Sequence, residues 1–183
     1  MTKDKILFLA GALFLAGCAS QQGNHPVARE IVRPGTPHGA IRASTEPEFF
    51  RIPDEDIEMA RAVRKARRTV GKFIAAVQNP TAGQRDFEVK KPFVQGAEVE
   101  HIWLSNVTFH GNRFHGYVDN HPRKIKGLKL GDRVSVNPDE ISDWAFVDHG
   151  RLVGGYSIRV LYKNLSPERQ KELEQEATFH IHS

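Results

Sequence analysis

At 183 residues, 39% of them apolar, the chain has room for one ordinary domain with extras around a modest single core. Its 26 basic and 22 acidic side chains leave a net charge of +4, too small an excess for a nucleic-acid-binding face. A single cysteine excludes a disulfide framework and a cysteine-rich metal site, so stability must come from packing.

The chain opens on the short basic run Met1-Thr2-Lys3-Asp4-Lys5, followed by apolar residues 6–17, a stretch too short to span a bilayer as a mature helix. Residues 1–17 read as a secretory signal. The run ends in Leu15-Ala16-Gly17-Cys18, which resembles the lipobox of bacterial lipoproteins, whose cysteine is lipidated and becomes the new N-terminus. The resemblance implies a lipid anchor on Cys18. Ala19 and Ser20 follow in place of an acidic residue, and by the same resemblance this implies sorting to the periplasmic face of the outer membrane. Loss of Lys3, Lys5 and Asp4 with the signal leaves a charge of about +3. Residues 18–50 hold the lipidated cysteine and a tether rich in Gln, Gly, Pro and Ser without apolar period. Residues 51–183 form a single domain.

Pro53-Asp54-Glu55-Asp56 predicts a helix start, with negative charge where the helix dipole favours it. Ile57, Ala60, Val63, Val70, Phe73, Ile74 and Val77 recur at helical spacing, basic residues follow from Arg61 to Lys72, and Asn79-Pro80 ends the element. The basic stretch reads first as a solvated face, with contact to anionic lipid as the alternative. Residues 86–94 predict a strand with Phe87, Val89 and Lys91 on one side and Glu88, Lys90 and Pro92 on the other; the proline places it near an edge or at a strand end.

In residues 99–119, VEHIWLSNVTFHGNRFHGYVD, Gly111-Asn112 predicts a two-residue hairpin loop. The register then pairs Phe109 with Phe114, Val107 with Gly116 and Ser105 with Val118. One face would carry His101, Trp103, Val107, Phe109, Phe114 and Val118 as core, the other Glu100, Leu104, Asn106, Thr108, His110, Arg113, His115, Tyr117 and Asp119. Further strands are expected at residues 133–136 and 143–147, each bounded by turns. Residues 156–165 fit helix spacing better than alternation, and Ser166-Pro167-Glu168 opens a final polar helix to about Ala177. The expected fold is α+β: an N-terminal helix, a small, mostly antiparallel sheet of about five strands, and C-terminal helices.

Candidate chemistry is sparse. His110 and His115, with Asp119 or His121, would need a register shift to converge on a metal, and His180 and His182 would chelate only loosely, so no metal or other cofactor is expected. His101, on the apolar face two residues from Trp103, reads first as a satisfied core histidine. With Glu100, Asp143 and Arg159 around a cleft it would instead give an acid–base site. Asp143 and Arg159 alternatively form a structural ion pair. No nucleophile motif, phosphate loop or zinc-hydrolase spacing is present.

Phe87-x-Val89-Lys90, Glu100-His101-x-Trp103-Leu104, Gly127-Leu128-x-Leu130-Gly131-Asp132-x-Val134, Ile141-Ser142-Asp143-Trp144 and Gly150-x-Leu152-x-Gly154-Gly155-Tyr156-x-Ile158-Arg159 stand in order over residues 57–161. This set resembles the YegJ-like family of uncharacterised bacterial domains. The resemblance implies a small α+β domain, found alone and exported, with no catalytic residues to carry over. Some relatives resemble immunity or accessory proteins of toxin systems, which implies an envelope or toxin protein as partner.

The reading is therefore a lipid-anchored, non-enzymatic protein-binding module of the cell envelope. The alternative is an envelope hydrolase using His101 with Glu100 or Asp143. A third possibility is membrane-surface binding through Arg123, Lys124, Lys126 and Lys129.

Overall fold

The computed structural model describes residues 54–181. The expected signal sequence and tether, Cys18 with them, and His182 lie outside those residues. The chain runs α1 (Asp54–Gln78), β1 (Gln84–Gln95), β2 (Glu98–His110), β3 (Arg113–Val118), β4 (Arg133–Val136), β5 (Asp143–Asp148), β6 (Arg151–Gly154), α2 (Tyr156–Lys163) and α3 (Pro167–Glu176). The strands form one sheet in the order β4-β3-β2-β1-β5-β6, every neighbouring pair antiparallel. This is the expected α+β fold with six strands in place of about five. The added strand, β6, is four residues ending in glycine, too short to show a period.

The sheet is lined with apolar side chains on both faces. Toward α1 it presents Val89, Ile102, Leu104, Phe114, Val118, Val136, Trp144 and Phe146, which bury Ala66 and Phe73 of the helix. Phe73 stacks on Trp144 at 5.4 Å between ring centroids, and the Trp144 indole Nε1 donates to the Ala66 carbonyl at 3.0 Å. Burying each such side chain contributes about 1.5–3 kcal/mol, which fixes α1 across the sheet. The other face presents Trp103, Ala145, Val147 and Leu152 to Ile158 and Tyr162 of α2, Leu173 of α3, and Phe179 and Ile181 of the C-terminal segment. That segment runs beside β6, where His180 N–H donates to the Gly150 carbonyl and Leu152 N–H to that of His180.

The hairpin at Gly111-Asn112 forms as expected, with Phe109 opposite Phe114. Its register changes one step further on. Thr108 pairs with His115 but Ser105 pairs with Tyr117 and Leu104 with Val118, so Asn106 and Val107 stand against Gly116 alone. Asn106 absorbs the bulge at φ 51°, a left-handed conformation that asparagine tolerates. A Cβ on Gly116 would lie 3.0 Å from the Ser105 carbonyl oxygen and 3.2 Å from Val107, so a side chain opposite the bulge would crowd both. The pairings of Val107 with Gly116 and of Ser105 with Val118 are thus corrected, and so are the faces. His101 and Trp103 point away from α1, whereas Ile102, Leu104, Val107 and Phe114 point toward it.

Pro92 is also explained. β1 lies inside the sheet, not at its edge, but its pairing with β5 ends at Lys90, so Pro92 has a neighbour only in His101 of β2.

Candidate functional site

The residues expected to carry chemistry are separated by the sheet and by strand alternation. Glu100, on the side of Ile102, accepts from the backbone N–H groups of Arg123 and Lys124 at 2.8–3.0 Å. It clamps the β3–β4 connection. Arg159, on α2, spends its guanidinium on the carbonyls of Gly154 at 3.0 Å, Leu152 at 2.6 Å and Ile181. It ties α2, β6 and the C-terminal segment together. No ion pair joins Arg159 to Asp143 among the described residues, because each is satisfied by other partners.

Asp143 is fully buried at the start of β5. Its Oδ1 accepts from the N–H of Trp144 at 2.8 Å and of Tyr156 at 3.1 Å. Its Oδ2 accepts from Ser157 N–H at 2.7 Å and Ser157 Oγ at 2.6 Å. Asp143 therefore does for α2 what an N-cap side chain does elsewhere, since the residue at that position is Gly155, which has none to offer. Gly154 and Gly155 make the approach possible. A Cβ on Gly154 would fall 2.3 Å from the Trp144 carbonyl oxygen, and both glycines hold positive φ angles of 73° and 59°.

Lys90 approaches the same cluster from β1, opposite both Trp103 and Asp143. It is 5% exposed, its Nζ lies 3.5 Å from Ser157 Oγ and 5.5 Å from the centre of the Trp103 indole. Burial lowers its pKa to about 8, against the opposing pull of Asp143. Burial pushes the Asp143 carboxyl up, while the bonds from Ser157 and the charge of Lys90 draw it down.

His101 lies one strand away. Its Nδ1 is 2.9 Å from Ser142 Oγ, and Ser142 is in turn bonded to the Lys90 carbonyl through its N–H at 2.7 Å and its Oγ at 3.3 Å. This bridge joins β2 to the start of β5 over the stretch of β1 that β5 leaves unpaired. Burial, with the charges of Lys90 and Arg67 nearby, lowers the His101 pKa to about 4, so the ring is neutral at pH 7.

The structure thus gathers Lys90, His101, Ser142, Asp143 and Ser157 and sends Glu100 and Arg159 elsewhere. Lys90, Ser142 and Ser157 carried no signal as chemistry, although one hint was present: α2 follows a Gly-Gly pair and so lacks a cap of its own, which demands a carboxylate or hydroxyl from another element. Among the described residues no three His, Cys, Asp or Glu side chains are grouped to hold a metal ion.

The second arrangement of note is the unroofed part of the sheet. α2, α3 and the C-terminal segment cover β1, β5 and β6 on the face away from α1. Over the far half of β2 and over β3 and β4 that face carries Thr108, His110, Arg113, His115, Tyr117, Arg133 and Ser135, and no described element packs on it. His110 and His115 stack with ring centroids 3.9 Å apart and planes 7° from parallel. Arg113 is held flat by Ser135 Oγ at 2.6 Å and Asn137 Oδ1 at 2.5 Å, and Tyr117 is 44% exposed.

Comparison with known proteins gives the lineage of this fold. The chain is 30% identical over 115 residues to the Uncharacterized protein YegJ of Escherichia coli strain K12, covering 63% of this chain and 74% of that protein. It is also 30% identical over 132 residues to a putative ankyrin repeat protein of Neisseria meningitidis serogroup B, covering 68% of this chain and 52% of that protein. No solved structure matches the chain. The family model described as "Uncharacterized protein conserved in bacteria (DUF2314)" matches residues 56–181, nearly the whole described domain, and the chain belongs to that family.

Proposed function

We propose that this protein is exported, lipidated on Cys18 and held at the periplasmic face of the outer membrane, where its domain acts as a non-enzymatic module that binds another protein of the envelope, in an accessory or immunity-like role. The observation that carries this reading is the unroofed half of the sheet. An antiparallel sheet can leave a polar face to solvent, and here the covering layer of helices stops short of one half. What is left open is a shallow, polar and aromatic surface with an ordered arginine, a tyrosine and two stacked imidazoles. Tyrosine and arginine are the side chains enriched at the energetic centres of protein interfaces, and pre-ordering lowers the entropic cost of binding.

One contact favours the hydrolase reading: the 2.9 Å approach of Ser142 Oγ to His101 Nδ1 has the spacing of a serine nucleophile and its base. Ser142 is 2% exposed, however, and occupied by the Lys90 carbonyl, while a histidine lowered to about 4 is a weak base at neutral pH. The pair serves the sheet better than it would serve a substrate.

The test is site-specific photocrosslinking in the intact envelope, with the crosslinking residue in place of Tyr117 or, as control, of Gln175 on the exposed side of α3. A discrete protein adduct from position 117 and none from position 175 is expected. Equal yields at both positions, or no adduct at 117, would remove the binding-face reading.

A further inference from the structure

The outer side of α1 carries a continuous stripe of basic side chains. Arg61, Arg64, Lys65, Arg68 and Lys72 are all exposed. At 3.6 residues per turn they fall within an arc of about 100° and run for about 16 Å along the helix, directly opposite the Ala66 and Phe73 side that meets the sheet. From residue 59 to the end of the helix there is no acidic side chain. Glu58, just before the stripe, is taken by Lys163 of α2 at 2.8 Å. None of Arg61, Arg64, Arg68 and Lys72 forms an ion pair with a described residue, and Lys65 rests 5.0 Å above the Tyr156 ring. In the β3–β4 connection Lys124 pairs with Glu98 at 3.1 Å, and the other basic residues there, Arg123, Lys126 and Lys129, stand on a loop and not along one helix face.

We propose that this stripe docks the domain on anionic phospholipid of the membrane that carries it, with α1 against the headgroups and the unroofed sheet half turned away from them. The inference rests on the lipid-anchored reading of Cys18. About 35 residues separate Cys18 from α1, a span of at most about 120 Å even when fully extended. An anchored domain is thereby confined near the bilayer at an effective concentration on the order of millimolar, where a weak electrostatic contact is enough to set its orientation. The arrangement also answers a geometric need. α1 and the open sheet face lie on opposite sides of one sheet, so lipid contact through α1 presents the binding face to the periplasm.

The test uses the full chain, purified with its own lipid and reconstituted into vesicles of phosphatidylcholine alone or of an equimolar mixture with phosphatidylglycerol. A fluorophore is placed by Ala75→Cys, at the end of the stripe, or by Gln175→Cys, on α3, and a headgroup-level lipid quencher reports proximity. Strong quenching at 75 and little at 175 is expected, only with phosphatidylglycerol, and lost at high salt. The exposed triple variant R61E/R64E/R68E abolishes it, with each charge neutralised weakening the contact about five-fold, whereas K126E/K129E leaves it unchanged. Equal quenching at the two positions, or a signal at 75 that ignores both phosphatidylglycerol and the triple variant, overturns the proposal. So does a stripe whose reversal releases an acidic protein but leaves the vesicle signal as it was. Anchoring is read separately, from intact mass and from maleimide labelling of the chain's single cysteine. A blocked sulfur with no oriented docking defeats this inference alone, and a free sulfur defeats the anchor and the inference together.

Discussion

The two halves of the sheet treat polar groups in opposite ways. Where α2 meets the sheet, the polar side chains of β1, β5 and the helix itself are sealed: Asp143 is 0% exposed, Ser157 2% and Lys90 5%, and the carboxylate has a donor for each direction it can accept from. Over β3 and β4 the polar side chains face outward with no layer above them, and Tyr117 is 44% exposed. In the sealed half hydrogen bonds replace a missing helix cap and join elements distant in sequence. In the open half they hold Arg113 in place but leave its surroundings accessible. The lesson is that titratable residues at the centre of a domain, even with shifted pKa values, belong to its construction when every partner is another part of the fold. Accessible, pre-ordered groups are the better guide to binding.

The largest expected effect separates the halves directly. Asp143→Ala removes the acceptor for the N–H groups of Trp144, Tyr156 and Ser157 and the negative charge that opposes the effect of burial on Lys90. A loss of about 3–5 kcal/mol is expected, at about 1–3 kcal/mol for each buried donor left without its acceptor, measured by urea unfolding at pH 7. Ser157→Ala removes one hydroxyl bond and costs about 1–2 kcal/mol. Should Asp143→Ala cost no more than Ser157→Ala, the carboxylate is not the cap of α2 and the sealed half has been misread.

Much of this division was legible in the sequence. The long first helix, the hairpin turn, the Ser166 cap of α3 and the strand at Trp144 follow from period and turn chemistry, which are local. The bulge was not, because it depends on a single asparagine adopting a left-handed conformation, and one displaced residue reversed the faces assigned to His101 and Trp103. His101 reads in the sequence as a satisfied core histidine; it is half-buried, its partner Ser142 is 41 residues away, and Asp143 finds Ser157 across a helix start. Such pairings are set by strand order, which alternation alone does not reveal. The open half was visible as a polar face, yet its openness depends on where α2 and α3 stop.

A middle-sized effect tests whether His101 belongs to the sealed half. Its pKa falls from 6.5 to about 4 on folding. Between those values the unfolded chain binds a proton that the folded one refuses, so stability is full above pH 6.5 and declines as pH falls toward 4. Allowing for the part of the ring that solvent reaches, the decline attributable to His101 is about 1–2 kcal/mol. His101→Gln keeps a polar group near Ser142 but cannot take up a proton. Its stability should therefore fall less between pH 6.5 and 4 than that of the parent chain, in thermal unfolding at matched ionic strength. Identical acid limbs would mean that His101 is solvated and belongs with the accessible groups.

The smallest effect on stability should be the largest on binding. Tyr117→Ala and His115→Ala alter only the outward side of β3, leaving Phe114, Gly116 and Val118 in the core beneath it. Their expected cost is below about 1 kcal/mol: the loss of a cross-strand neighbour and, for His115, of its stack on His110. If this face binds a protein, truncating a central aromatic weakens the complex at least ten-fold, which the crosslinking yield from a neighbouring position such as Thr108 will report. The informative result is the ratio of the two effects. A residue that contributes little to folding but much to capture belongs to a surface kept for a partner. A residue whose truncation destabilises the domain and leaves capture intact is part of the fold after all, and the contrast between the two halves would then describe only solvation.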